Sequence, residues 1–423
     1  MNSLDKIVPI LNLEDLKVIS PLGRGAKGLV FLVKQDQCPQ LWALKVILRD
    51  LIEKKNKDVS TGNEYKRVCF ERQVLSHFKH PLLPSLRGVL ATDKIVAYAI
   101  DFCPGRDLNY LRKQQTESTF SVDIIRFYSA ELVLALEYLH KIGIAYRDLK
   151  PENILVQENG HIMLVDFDLS TKISPSRHKS PSSDLGAKQH PFRRRRSFFS
   201  RFCNSGITPD DSSDDNPIVP EPEATEKSNS FVGTEEYVAP EIIQGYGHDF
   251  AVDIWSLGVV IYEMLYGVTP FKGSNRKETF FRILTKAPDL VGEATPLRDL
   301  IRKLLVREPR ERIKLEEIKR HEFFEGINWE MLMQLSRPPY IPPTSHEFWV
   351  TEGKEGIMKI DVESFVQRIF GGDEVGNQKD KEDENEKQKQ KQLPQQDEGT
   401  NTNKGVWVNG LDNTPENHNF LVF

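Results

Sequence analysis

The chain has 423 residues, 39% hydrophobic and 28% charged, a balance that suits a folded core with polar appendages. A net charge of −5 gives the whole molecule no case for specific nucleic-acid binding, so any basic site must be local. Its four cysteines (Cys38, Cys69, Cys103, Cys203) are far apart and form no CxxC pair, which argues against a zinc site and fits a reducing compartment.

The first residues lack a basic stretch followed by a long apolar core, so no signal peptide is expected, and Asn2 excludes myristoylation. No apolar run approaches the length of a membrane span. Residues 13–47 alternate apolar and polar positions around glycines, a pattern that predicts twisted antiparallel strands. Helical spacing follows over 64–78, with Val68, Leu75 and Phe78 among charges, and again over 121–140. Short strands are expected around Asp166, and the pattern from 249 to Phe324 is mostly helical. Strands first and helices after predict an α+β protein with a small β-rich lobe and a larger helical one. Two stretches break this order. Residues 170–229 are rich in Ser, Pro, Asp and Arg with little periodicity and read as a disordered insertion. Residues 372–405 are charged low complexity and read as a solvated linker. The chemistry concentrates in Tyr146-Arg147-Asp148-Leu149-Lys150-Pro151-Glu152-Asn153.

That string resembles the catalytic loop of the eukaryotic protein kinases, which sets an Asp and an Asn five residues apart. The resemblance implies that Asp148 receives the proton of an attacking hydroxyl, Lys150 faces the transferring phosphoryl group and Asn153 helps hold Mg²⁺. Four other motifs occur in the family's order. Gly23, Gly25 and Gly28 resemble the glycine-rich loop that closes over the phosphates of ATP. Ala43-Leu44-Lys45-Val46 looks like the lysine strand, with Lys45 pairing a helix glutamate. Glu71 is the first choice for that glutamate and Glu64 the second. Asp166-Phe167-Asp168 stands in the place of the metal-binding Asp-Phe-Gly, so Asp166 would ligate Mg²⁺. Asp168 departs from the family's glycine and puts the movement of this segment in doubt. Ala239-Pro240-Glu241 resembles the end of the activation segment, with Glu241 paired to Arg312, and Asp253 would brace the catalytic-loop backbone. Ile100 to Cys103 reads as the hinge: the Asp101 and Cys103 backbones would bond adenine, and Leu22, Val30 and Ala43 would pack on it.

Tyr146, the string from Ser230 to Tyr237 and the tail motif from Arg337 to Pro342 resemble the AGC serine/threonine kinases. Asp168 together with the long insertion resembles the plant AGC group, and the glycine-loop and activation-segment strings look nearest its UNICORN type. This implies a kinase in plant growth or developmental signalling, with Thr234 marking serine/threonine specificity and Ser230 at the activating phosphosite. Asp107, Glu152 and Glu263 fall where such kinases meet basic substrate residues, although Asp107 also suits a solvated face or the ATP ribose. The domain plan is then an extension over 1–15, a bilobal kinase domain over 16–324, a tail over 325–371 and a linker over 372–423. A catalytically silent scaffold acting through insertion and tail is the rival reading, kept alive by Asp168 and the tip Ala26-Lys27.

Arg193–Arg196, interleaved with Phe192, Phe198, Phe199 and Phe202, suit contact with an anionic membrane. A nuclear import signal and a plain solvated loop are the other readings. Cytoplasm, plasma-membrane periphery and nucleus therefore stay open. Phe420 and Phe423 resemble the AGC hydrophobic motif, which docks beside the glutamate helix and recruits a phosphoinositide-dependent upstream kinase.

Overall fold

A computed structural model describes residues 8–25, 28–35, 40–56, 64–173, 233–245, 247, 249–335, 338–340 and 361–370. The strands predicted near the start are β1 (Leu16–Arg24), β2 (Gly28–Gln35) and β3 (Leu41–Leu48). They join β4 (Leu86–Ala91) and β5 (Ile95–Asp101) in one antiparallel sheet of order β1-β2-β3-β5-β4. Strand alternation gives this sheet two apolar faces. Val30, Leu32 and Ala43 pack with Leu22 on one, while Leu29, Phe31, Val33, Leu44 and Val46 pack on the other. Gly28 is required by the sheet itself, because a Cβ there would sit 2.2 Å from the Val46 carbonyl oxygen.

β4 is an edge strand, and the residues before β1 cover it. The Val89 N–H donates to the Pro9 carbonyl at 2.9 Å, and the Leu11 N–H donates to the Val89 carbonyl at 2.8 Å. Covering an edge satisfies backbone groups that would otherwise template association. Gly88 lets this segment approach, since a Cβ there would lie 2.5 Å from the Leu11 side chain.

Helix α1 (Arg49–Asn56), not foreseen from sequence, and α2 (Glu64–His77) complete the small lobe. The large lobe begins at α3 (Leu108–Lys113) and α4 (Val122–Lys141), the predicted amphipathic helix. Ser121 starts α4 by accepting from the Ile124 N–H. Then come β6 (Ile144–Ala145), β7 (Ile154–Val156), β8 (Ile162–Leu164) and β9 (Thr171–Lys172). β9 pairs with β6, so the first residues assigned to the insertion belong to the folded core. Helices α5 (Pro240–Gln244), α6 (Ala251–Tyr266), α7 (Arg276–Thr285), α8 (Pro296–Leu304) and α9 (Leu315–Lys319) follow. The tail supplies α10 (Val362–Phe370), whose Val362 and Val366 are buried against the small-lobe sheet. The bilobal α+β architecture is thus present. Ser230, Arg193–Arg196, the loop tip Ala26-Lys27, the linker and Phe420 with Phe423 lie outside the described residues.

Candidate active site

The catalytic loop leaves β6 and is gripped from below by α6. Asp253, fully buried, accepts from the Tyr146 N–H at 2.9 Å and from the Arg147 N–H at 2.7 Å. Arg147 has φ of 68°, a left-handed conformation that costs about 1–3 kcal/mol for a non-glycine residue and needs such support. The sequence expectation for Asp253 therefore holds.

Around Asp148 three side chains close a triangle. Lys150 Nζ lies 3.0 Å from Asp148 Oδ2 and 3.2 Å from Thr234 Oγ1, and the Thr234 hydroxyl lies 3.2 Å from Asp148 Oδ1. Burial pushes the Asp148 carboxyl above its ordinary value, against the opposing pull of Lys150. Asn153 donates its Nδ2 to the Asp148 backbone carbonyl at 2.9 Å and to Oδ2 at 3.0 Å. Those bonds leave Asn153 Oδ1 buried with no hydrogen-bond partner. A buried amide oxygen in this position suits a hard cation, which takes oxygen ligands.

The Val165 N–H donates to the Asn153 carbonyl at 3.0 Å and so sets Asp166 close to the catalytic loop. Lys45 reaches both sides of the cleft, 3.0 Å from Glu71 Oε1 and 2.9 Å from Asp166 Oδ1. Burial works against the Lys45 charge, but Asp166 and then Glu71 hold its pKa well above the usual value. Burial also opposes ionisation of Asp166, yet Lys45 draws its carboxyl below the normal range. Glu71, not the runner-up Glu64, is the partner of Lys45.

Phe167 sits under this pair in an aromatic column, 4.7 Å from the Phe78 ring and 5.2 Å from Tyr146. The Tyr146 hydroxyl donates to the Val165 carbonyl. Among the described residues the non-glycine positions with positive φ are Arg106, Glu117, Ser118, Arg147 and Asp166. Asp168 is not one of them, so the backbone here does not demand the family's glycine.

The cleft above is lined by Leu22, Val30, Ala43, Leu155 and Val165 with Lys45, Glu71 and Asp166 at its inner end. An apolar lining with a few convergent charged groups is the character expected of a cofactor site. Asp101 turns its carboxylate away to the Ser85 N–H (2.8 Å) and Arg87 Nε (2.6 Å). Cys103 is buried, with Sγ 3.6 Å from Met163 Sδ. Gly23 and Gly25 flank Arg24 at the end of β1, where the Gly25 N–H closes a turn to the Gly28 carbonyl at 2.9 Å.

The three acids assigned to substrate differ in what holds them. Asp107 caps α3 through the Tyr110 N–H at 2.8 Å. Glu263 is buried, 2.9 Å from Arg112 Nη2 and 2.5 Å from the Tyr237 hydroxyl. Glu152 keeps a buried Oε2 with no hydrogen-bond partner.

Comparison with known proteins agrees with this geometry. A profile of the protein kinase domain matches residues 16–189 and 218–324. The chain belongs to the protein kinase family. It is 55% identical to serine/threonine-protein kinase OXI1 of Arabidopsis thaliana over 98% of this chain and 97% of that protein. It is 44% identical to serine/threonine-protein kinase UCN of Arabidopsis thaliana, covering 78% of this chain and 85% of that one. Serine/threonine-protein kinase AGC1-7 of the same plant is 39% identical, over 83% and 68% of the two chains. This is therefore a serine/threonine-protein kinase of the plant AGC group, and the UNICORN-type resemblance is supported. Among the described residues no helix is long and apolar enough to cross a membrane.

Proposed function

We propose that this kinase binds ATP with Mg²⁺ in its cleft and transfers the γ-phosphoryl group to serine or threonine hydroxyls that follow basic residues. The observation that carries the basic preference is the unpartnered, buried Oε2 of Glu152, two residues from Lys150. A buried acceptor without a donor is costly, and a substrate guanidinium supplies that donor with charge. Glu263 and Asp107 extend the acidic character of the same side. Arg112 and Tyr237 orient Glu263, so its contribution is one of field as well as contact.

Asp148 orients the attacking hydroxyl and takes its proton. Lys150 faces the transferring group, and Thr234 fixes Asp148 and Lys150 relative to each other. Lys45, held by Glu71, positions the phosphates, while Gly23, Gly25 and Gly28 form the roof over them. The Asp101 and Cys103 backbones bond adenine between Leu22, Val30 and Ala43. Asn153 through its free oxygen and Asp166 through its carboxylate would hold Mg²⁺. A bound Mg²⁺ would neutralise charge on the phosphate oxygens.

Phosphorylation of Ser230 would supply an anion for Arg147 and for Arg67 on α2. Burial brings the Arg147 guanidinium down to about 10, with Asp253 opposing and the like charge of Arg67 adding to the fall, and a nearby phosphate would offset that cost. The remaining regions follow the domain plan 1–15, 16–324, 325–371 and 372–423. Phe420 and Phe423 dock on the small lobe or on a phosphoinositide-dependent upstream kinase. Arg193–Arg196 serve as a contact for an anionic membrane or as a nuclear import signal, and the kinase acts in the cytoplasm with the plasma-membrane periphery, the nucleus or both.

The test is phosphate transfer from Mg²⁺·ATP to an arginine-rich serine peptide, with wild type beside Asp148→Asn. Transfer lost in the variant supports the reading. No transfer by wild type, even after treatment with an upstream AGC-activating kinase, overturns it and favours the scaffold.

A further inference from the structure

The tail helix α10 crosses the outer face of the small-lobe sheet, the face turned away from the cleft. Val362 and Val366 are buried there among Leu29, Phe31, Val33, Leu44 and Val46. The Phe365 ring meets Phe31 edge-on at 5.8 Å. At its first turn the helix is tied to the β4–β5 turn: the Thr92 hydroxyl donates to Glu363 at 2.5 Å, and Lys94 lies 3.7 Å from the same carboxylate. At its last residue the Phe370 ring lies under the Arg24 guanidinium, 5.2 Å from ring centroid to Cζ.

The two anchors are at opposite edges of one end of the sheet. Arg24 pairs with Leu29, Gly28 with Ile47, and Leu48 with Ile95, so β1, β2, β3 and the β4–β5 turn all meet at this end. Nine helical residues span about 13 Å. With side chains at both ends, that length bridges strands set about 4.8 Å apart. Arg24 lies between Gly23 and Gly25, on the loop assigned to the ATP phosphates. A glycine-rich loop has little stiffness of its own.

We infer that Phe370 is a positioning residue for ATP: through Arg24 the tail helix holds the glycine-rich loop in register from outside the cleft. The inference rests on the ATP reading above. Phe370 packs on the outer-face cluster and is not among the residues that line the cleft, so its effect falls on nucleotide binding rather than on the transfer step. The tail thereby becomes a determinant of affinity for ATP, and whatever displaces α10 loosens the loop.

The experiment uses the full chain and measures KM for ATP at saturating peptide, KM for peptide at saturating ATP, kcat and the melting temperature. Phe370→Ala is expected to raise KM for ATP about two- to fivefold, the range of an exposed cation–π contact, with kcat and peptide KM held within about twofold. Phe370→Tyr should restore the wild-type value, and Phe370→Leu should not, because it keeps volume without the π face. Arg24→Ala should raise KM for ATP alike, and the double variant Arg24→Ala with Phe370→Ala should add nothing further. An unchanged KM for ATP in Phe370→Ala overturns the inference. So does a loss that falls on kcat together with the melting temperature, or full rescue by Phe370→Leu. Active wild type with an unmoved KM defeats this inference alone, whereas inactive wild type defeats the reading beneath it.

Discussion

Asp253 holds the backbone of Arg147: its Oδ1 accepts the Arg147 N–H at 2.7 Å while its Oδ2 takes the Tyr146 N–H and lies 2.8 Å from His140 Nε2. Because Arg147 precedes Asp148 and sits at φ of 68°, Asp253 sets the angle at which the catalytic carboxylate enters the cleft. Asp253→Asn places an amide NH₂ against at least one of these N–H donors. Each buried donor left unmatched costs about 1–3 kcal/mol. Steady-state kinetics should show kcat reduced about tenfold or more, with peptide KM nearly unchanged and a lower melting temperature.

Glu152 offers a sharper test of substrate choice. Glu152→Gln keeps shape but removes the charge around its unpartnered oxygen. Truncating one side of a desolvated charge pair costs about 2–5 kcal/mol. Discrimination between an arginine-bearing peptide and its leucine counterpart should therefore fall by a factor of about thirty or more, mainly through peptide KM. If the ratio of kcat/KM values is unchanged, Glu152 does not read the basic residue.

Much of the site was legible because its parts are contiguous strings whose residue types the chemistry dictates, as with Asp148, Lys150 and Asn153. The Glu241–Arg312 and Asp253 contacts were legible only through the family resemblance, since no periodicity joins residues so far apart. Sequence gave no hint of α1, whose RDLIEKKN run has few apolar positions. Nor did it expose α10: its nine residues carry an apolar stripe, but not the sheet face that stripe covers. The doubt over Asp168 concerned movement of the segment; in the conformation shown its backbone is not left-handed, so this conformation does not require the family's glycine. Gly28 was read as room for phosphate, whereas the Val46 carbonyl alone already excludes a side chain.

Arg312 and Glu241 form a buried pair that ties α5 to the loop before α9. Nη1 lies 2.8 Å from Oε1 and Nη2 3.1 Å from Oε2, and the guanidinium also lies 5.2 Å over the Trp255 ring. Removing one partner leaves a buried charge uncompensated, at a cost of about 3–5 kcal/mol. Glu241→Ala should lower the urea midpoint of unfolding accordingly. The double replacement Glu241→Leu with Arg312→Met should recover part of that loss, since it removes both charges.

His161 links the large lobe to the root of the tail. Its Nδ1 bonds the buried Glu131 carboxylate and its Nε2 lies 3.2 Å from the Leu335 carbonyl, so both ring nitrogens face acceptors. With Glu131 ionised, both nitrogens carry protons and the ring is an imidazolium, although burial raises the Glu131 carboxyl above its ordinary value. The Glu131 hydrogen bond raises the His161 pKa above its ordinary 6.5, with burial opposing. A folded-state pKa above the unfolded one means the native state binds this proton more tightly. The stabilisation is complete below about pH 6.5 and is lost as pH rises through the raised folded value. Thermal melts from pH 6 to 9 should show the wild-type midpoint falling by about 2–4 °C for each kcal/mol lost. His161→Gln, which cannot titrate, should melt lower at pH 6 and lack this component of the slope. A wild-type profile that rises with pH across the same window would refute the charged assignment of His161.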